Sequence, residues 1–389
     1  MKILHFISGG DTGGAKTHVL TLIRRLIEID IEVELMCIME GVFTKEAKRR
    51  GIPVKIIPQK KRYDITVISK ICRYINKGNY DLVHCHGARA NYIAMFIKRK
   101  INIPIITTLH SDYKLDFKDT WYKQAVFAPV NSLALRCFKY VLTVTEAFKK
   151  MLIERGFDEN RLFVVYNGID FDYVPDMVEK EEFFSRFGID YDDTKIYVGI
   201  AARLYAVKGI STFIEAAEMA VNKNKNIVFI IAGDGSGYEK YETMIKNKSL
   251  TDKIYMLGHV NDIDSFYNAI DINTLTSLSE SFPYALLEGA RMKKATISTD
   301  VGGISEMIKD GKTGYLVKTM DTKGLCEKIL LLSENAQLRK KLGESFYNDT
   351  KNKFSDKKMA LTHKQIYEKI IKENEKWSLL MKKANYLDL

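Results

Sequence analysis

Short apolar runs alternate along this chain with longer stretches in which apolar residues recur at helical spacing, and the alternation persists over most of its length. Ile3-Leu4-His5-Phe6-Ile7 ends in Gly9-Gly10, a helical pattern follows from about Ala15 to Ile29, and Glu32 to Ile38 reads as a second strand. A strand, a helix and a strand in so short a span predict a βαβ unit with parallel strands. Val54 to Ile57, Leu82 to His84, Ile105 to Leu109, Tyr140 to Val144 and Leu162 to Tyr166 continue as strands separated by helical stretches. Between Phe171 and Asp193 the pattern lapses into acidic, aromatic and turn residues. A second series then begins, with strands at Ile196 to Ala201, Ile227 to Ala232, Ile254 to Leu257, Ile272 to Leu275, Ala295 to Ser298 and Gly314 to Val317. From about Ser355 the chain is helical, with Met359, Ile366 and Ile370 on one face that can pack back on the first series. The predicted fold class is therefore α/β: two doubly wound parallel-sheet domains, residues 1–176 and 177–354, followed by a helical tail over 355–389. In such folds ligands bind beyond the carboxyl ends of the strands, so a cleft between the two sheets is the expected site.

The length of 389 residues fits two domains of similar size. Its five cysteines, Cys37, Cys72, Cys85, Cys137 and Cys326, are scattered without the paired spacing of a metal site or a disulfide framework, which fits a reducing cytoplasm. The apolar start is too short for a signal peptide, and no apolar run approaches the ~18 residues of a membrane span. Net charge is +11, and residues 1–176 hold most of it, 28 Lys and Arg against 19 Asp and Glu. Lys45, Lys48, Arg49, Arg50, Lys55, Lys60, Lys61 and Arg62 fall close together with one acid, Glu46, among them. An anionic membrane surface, here the inner face of the cytoplasmic membrane, is the first reading of that patch, with a solvated face close behind. A nucleic-acid partner is discounted, because the basic residues lack aromatic interleaving and a recognition-helix motif.

Four features carry chemistry. Gly9-Gly10-Asp-Thr-Gly13-Gly14 follows the first strand and opens the first helix, where backbone N–H groups and the helix dipole favour an anion, although the spacing matches neither a dinucleotide fingerprint nor a P-loop. Arg203 and Lys208 lie in a strand-to-helix loop and can hold a diphosphate, Arg as a fork and Lys as a point charge. Glu280-Ser-Phe-Pro-Tyr-Ala-Leu-Leu-Glu288 sets two acids around one helix start, with Pro283 expected in the first helical turn. Gly233-Asp-Gly-Ser-Gly237 and Val301-Gly302-Gly303 are further glycine turns at strand ends. Each has a bland reading as a tight turn or a solvated side chain, and the case rests on their order. His84 and His86 share a strand face without a third ligand of convincing spacing, so no metal is expected, whereas His110 lies beyond a strand end.

Taken together, these residues resemble the family 4 retaining glycosyltransferases, of the two-domain architecture called GT-B. The resemblance spans essentially the whole chain and includes Asn167-Gly168-Ile169-Asp170 besides the motifs above. Ala202 and Ser281 stand where the family usually has glycine, and Arg291-Met-Lys-Lys294 replaces the more common Cys-Gly-Lys-Pro. The resemblance implies transfer of a sugar from a nucleotide diphosphate donor, a UDP-sugar first, to a lipid-linked or cell-surface glycan precursor, with retained configuration and no metal or other cofactor. It implies that Glu288 binds the ribose hydroxyls, Glu280 with the Ser281, Phe282 and Pro283 loop the donor sugar, and Arg203 and Lys208 the diphosphate. Gly13, Gly14 and Gly233 bring backbone to the donor, and His110 contacts the sugar near the anomeric centre. Glu280, His110, Arg203 and Lys208 are then the catalytic set. A nucleotide-sugar epimerase of the same fold and a non-catalytic nucleic-acid-binding protein are the alternatives.

Overall fold

The structure is a computed structural model that describes residues 1–10, 13–59, 61, 64–114 and 121–387, the side chains of 121–128 and 378–387 excepted. Two compact units divide the chain, one formed by Met1–Gly168 with Asp356–Leu389 and the other by Ile169–Ser355. The strand and helix pattern alone places the first boundary near 176. In the structure Ile169 bridges to Ser355 and Phe171 packs edge-on against Tyr347 at 5.8 Å, so the segment after Gly168 lies with the second unit.

The first unit begins with β1 (Lys2–Ile7), α1 (Gly14–Glu28), β2 (Glu32–Cys37), α2 (Val42–Arg49), β3 (Val54–Ile56), α3 (Thr66–Lys77) and β4 (Leu82–His86). It continues through α4 (Gly87–Ile97), β5 (Ile105–Leu109), α5 (Trp121–Arg136), β6 (Tyr140–Thr143), α6 (Glu146–Glu154) and β7 (Leu162–Val164). All seven strands are parallel in the order β3-β2-β1-β4-β5-β6-β7, with the direction of winding reversing between β1 and β4. Strands covered on both faces need continuous apolar runs, and β1 and β4 are buried along nearly their whole length.

The second unit holds α7 (Lys180–Ser185), β8 (Ile196–Ala201), α8 (Ile210–Lys223), β9 (Ile227–Ala232), α9 (Tyr238–Asn247), β10 (Ile254–Gly258) and α10 (Ile263–Ala269). After these come β11 (Ile272–Leu275), α11 (Tyr284–Arg291), β12 (Ala295–Thr299), α12 (Ile304–Met307), β13 (Tyr315–Val317), α13 (Thr322–Glu334) and α14 (Ala336–Lys353). Its six parallel strands run β10-β9-β8-β11-β12-β13, with the winding reversing between β8 and β11. The core clusters Phe213, Phe229, Ile231, Ile297 and Leu332 on one side of the sheet, and each such side chain contributes about 1.5–3 kcal/mol by leaving water.

The last helix, α15 (Asp356–Leu387), belongs to the first unit, where Met359, Ile366 and Ile370 join the core built on α1. Its first turn is anchored by the Asp356 carboxylate, 1% exposed, which accepts from Arg25 Nε at 2.7 Å and faces Arg24 at 3.6 Å. None of the described helices is long and apolar enough to cross a membrane.

Candidate functional site

In the second unit the loops that follow β8, β9, β11 and β12 are stitched together at the carboxyl edge of the sheet, on either side of the point where winding reverses. Gly209 takes a left-handed φ of 62°, and a Cβ there would meet the Thr276 carbonyl oxygen at 2.0 Å. That contact presses the β8 and β11 loops together, and two bonds secure them: Thr276 Oγ1 donates to the Lys208 carbonyl at 3.0 Å, and Leu278 N–H to Val207 at 2.8 Å. Gly302, with φ 59°, lets the turn after β12 approach the Glu280 carbonyl to within 1.8 Å of where a Cβ would be. Gly303 N–H then donates to Ser281 at 3.0 Å. Gly233 presses likewise on Ala202, and Leu204 N–H donates to the Asp234 carbonyl at 2.9 Å. These glycines are therefore needed for the close approach of backbone to backbone, whatever else they do.

The approach of these loops sets the charged side chains. Lys208 closes a 3-10 turn, Ala206–Lys208, and its ammonium forms an ion pair with the Glu280 carboxylate. The Ser277 hydroxyl donates to the same Oε1 at 2.6 Å, and Thr299 Oγ1 steadies Ser277 by donating to its carbonyl at 2.6 Å. The side chains are 17% and 9% exposed, so the pair is partly desolvated and stronger than a surface one. The family resemblance implies separate partners for Lys208 and Glu280, the diphosphate and the sugar; the structure joins the two side chains to each other. Arg203 is exposed, with its guanidinium over the Tyr205 ring at 5.4 Å.

Pro283 differs from its expected place. It is the N-cap of α11, in extended conformation with ψ 127°, and the helix starts at Tyr284, because the chain is still turning out of the Ser281–Gly303 contact. Phe282 turns inward, 2% exposed and edge-on to Phe354 at 4.9 Å, so its ring belongs to the core. Ser281 and Pro283 are half-buried. Glu288 lies in the second turn of α11, where burial pushes its carboxyl up to about 7. Arg291 works against that shift and Asp264 with it, while the Tyr267 hydroxyl beside it favours the carboxylate. Arg291 is itself ion-paired with Asp264.

In the first unit Gly13, with φ 67°, caps α1, and its carbonyl accepts from Thr17 N–H at 3.2 Å. Gly13 and Gly14 are exposed, while Asp11 and Thr12 of the same turn lie outside the described residues. The Lys16 amine is held below its usual range by burial and then by Arg50 and Arg49, which places three cations near the start of α1. In the basic segment Arg49 and Arg50 both pair with Glu46, and Lys48 reaches Glu40 at 3.4 Å; Lys60 and Arg62 lie outside the described residues.

His110, at the carboxyl end of β5, belongs to a cluster that sequence reasoning saw only in part. His5 Nδ1 lies 3.0 Å from His86 Nε2, and His86 Nδ1 lies 3.1 Å from His110 Nε2. His84 bonds the Tyr367 hydroxyl at 2.6 Å and Thr108 at 2.7 Å. His18 bonds Asn167 at 2.9 Å, and His363 bonds the Met359 carbonyl at 2.8 Å. Burial depresses all six, and no anion among the described residues offsets it: His5 to about 3, His18 to about 4, and His84, His86, His110 and His363 well below the usual imidazole range. The third histidine missing from the sequence argument is thus present, since His5, His84 and His86 offer ring nitrogens within 4.8 Å of one another, as do His18, His86 and His110. The β1–β4 pairing, which sets His5 opposite His84, is the signal that could have found it.

Two family models match the chain. Residues 12–173 match the model for Glycosyltransferase Family 4, and residues 181–349 match that for Glycosyl transferases group 1. An uncharacterised glycosyltransferase of Methanocaldococcus jannaschii is 28% identical over 92% of this chain and 95% of its own length. An O-antigen biosynthesis glycosyltransferase of Escherichia coli is 22% identical over 96% of this chain and 99% of its own. Among solved structures, an Anabaena protein crystallised in complex with UDP superposes with a TM-score of 0.82 at 20% identity, covering 95% of this chain and 100% of that one, a likeness of fold. With both matched models lying on the two doubly wound units, the chain belongs to the family 4 (group 1) glycosyltransferases and is a glycosyltransferase of GT-B fold.

Proposed function

We propose that this glycosyltransferase moves a sugar from a UDP-sugar to a lipid-linked or cell-surface glycan precursor, with retention of anomeric configuration and with fixed cations in place of a divalent metal. The observation that carries the reading is the half-buried Lys208–Glu280 pair, held by the β8 and β11 loops at the reversal of winding, where ligands of doubly wound sheets bind. The Anabaena relative of like fold holds UDP, and the E. coli relative is named for O-antigen biosynthesis; both support the donor and acceptor classes proposed.

In this reading the diphosphate draws Lys208 and the exposed Arg203, freeing the Glu280 carboxylate for sugar hydroxyls. Glu288 takes the ribose hydroxyls, and the glycine turn at Gly233 brings backbone close to the donor. In the first unit Gly13 and Gly14 offer backbone N–H groups to phosphate, and His110 touches the sugar. The bond from the anomeric carbon to the diphosphate oxygen breaks, and negative charge grows on the leaving group where the cations are fixed. The acceptor oxygen attacks from the same face, and its proton passes to the departing phosphate. Lys16, Arg49 and Arg50, clustered near the start of α1, suit an acceptor that carries phosphate at an anionic membrane.

Calorimetric titration with UDP tests the donor site. The natural protein is expected to bind UDP, and Lys208→Ala and Glu288→Ala to bind it at least about tenfold more weakly, as loss of a charge-assisted hydrogen bond requires. Binding of GDP or ADP in preference to UDP would overturn the base assignment, and affinities unchanged in both variants would overturn the site.

A further inference from the structure

The six clustered histidines cannot all be explained as packing, because imidazoles carry polar nitrogens that burial leaves needing partners. His5, His86 and His110 form a continuous hydrogen-bonded file, 3.0 Å and then 3.1 Å between ring nitrogens, that runs from inside the sheet to the carboxyl end of β5. Burial keeps each ring neutral. A neutral imidazole has one N–H, so the file must point one way: every ring donates toward His110, or every ring donates toward His5.

The ends of the file decide between the two. His5 Nε2 is buried and has no partner among the described residues, whereas His110 is only half-buried. If the file pointed toward His5, that Nε2 would carry a proton with nothing to receive it, and orphaned buried N–H groups are the rarer and costlier kind. If it points toward His110, Nε2 of His5 is a bare lone pair, His5 Nδ1–H donates to His86 Nε2, and His86 Nδ1–H donates to His110 Nε2. The proton of His110 then sits on Nδ1. His18, edge-on to His110 at 4.7 Å, is held in the same tautomer, since its Nδ1 faces the Asn167 side-chain oxygen at 2.9 Å, which can only accept. A metal fits less well. His84 and His86 have both ring nitrogens engaged, each candidate triad would take His86 from this file, and neither triad includes a carboxylate to offset a buried dication.

We propose that His5 and His86 are positioning residues that hold His110 as its Nδ1–H tautomer, so that His110 meets the donor sugar as a neutral hydrogen-bond donor and does not serve as a base. This rests on the reading, given above, that His110 touches the donor sugar. It agrees with a mechanism in which the acceptor's proton goes to the leaving phosphate, because a nitrogen that already bears its proton cannot take another while neutral. His5→Phe keeps the ring and removes the first donor, which frees His86 to turn and leaves the His110 tautomer unfixed.

The test is two-bond nitrogen–proton correlation on the full chain with 15N-labelled histidine, without ligand, at a pH near 7.5, the neutral range for these rings. The expected result is protonated Nδ1 and bare Nε2 for His86 and His110 in the natural protein. In His5→Phe a substantial Nε2–H population of His110 is expected, with kcat for the UDP-sugar that supports transfer lower on the order of tenfold and KM little changed. An Nε2–H pattern for His110 in the natural protein overturns the proposal, as does an imidazolium or stoichiometric bound metal; if His5→Phe does not fold, the natural protein's spectrum still decides. An unchanged His110 tautomer in folded His5→Phe overturns it too. The ligand-free spectra stand whatever the donor is, so absence of UDP binding would defeat the donor reading and leave the tautomer result separate.

Discussion

A single carboxyl, that of Glu288, gives the sharpest expectation at the residue scale. Its value of about 7 follows from burial in the second turn of α11, and in its proposed role, accepting from two ribose hydroxyls, the carboxyl must be ionised. Raised above the ordinary 4.5, the carboxyl is protonated in the empty protein below about pH 7, and on that proposal the proton leaves before the ribose binds. Affinity for UDP is therefore expected to fall as pH drops from about 8 to 6, approaching tenfold per unit at the acid end, and to lose this slope in Glu288→Gln. Titration at several pH values checks it, and a flat profile in the natural protein would remove Glu288 from the ribose. Residue identities were legible in the sequence, but not every partner was. The Lys208–Glu280 bond spans 72 positions, and the inward turn of Phe282 depends on Phe354, which the motif does not contain.

Among the elements, the strands were the most readable, because fully covered parallel strands are apolar runs with abrupt ends. The predicted strand at Ile196 to Ala201 and the observed β8 coincide, as do Ile227 to Ala232 and β9. Helix starts were less readable, as Pro283 shows, because a cap depends on contacts made by the preceding loop. The histidine cluster was least readable of all. It draws on β1, α1, β4, β5 and α15, and only the pairing of the strands and the return of α15 assemble it. Its consequence is a stability that depends on pH. The six rings are neutral in the fold, with values depressed below the unfolded 6.5, so their contribution is complete above about pH 6.5 and is lost as pH falls toward the folded values, at up to ~1.4 kcal/mol per unit for each ring. Glu288, with a raised value, acts in the opposite sense, its contribution being lost as pH rises through about 7, but it is one group against six. The thermal midpoint is expected to be clearly lower near pH 5.5 than near pH 7.5, and equal midpoints in a scan of both would contradict the neutral cluster.

For the molecule as a whole, the two windings of the sheets were legible from the repeated strand and helix pattern, and the return of α15 from one apolar face. What holds that return, the buried Asp356 between Arg24 and Arg25, was not, since a lone Asp in a lysine-rich stretch reads as solvated. The proposed recognition of an anionic acceptor belongs here too, because the exposed cations of α2 and the cluster around Lys16 are surface properties that act together. If the charged groups gathered at the carboxyl edge of the second sheet perform sugar transfer, as proposed, label from radioactive UDP-sugars moves into a membrane extract only when those groups are intact. The natural protein is expected to label the lipid-linked fraction, less so at high salt, and Lys208→Ala and Glu280→Ala to be slower on the order of 100-fold. Equal labelling by all three proteins would contradict it.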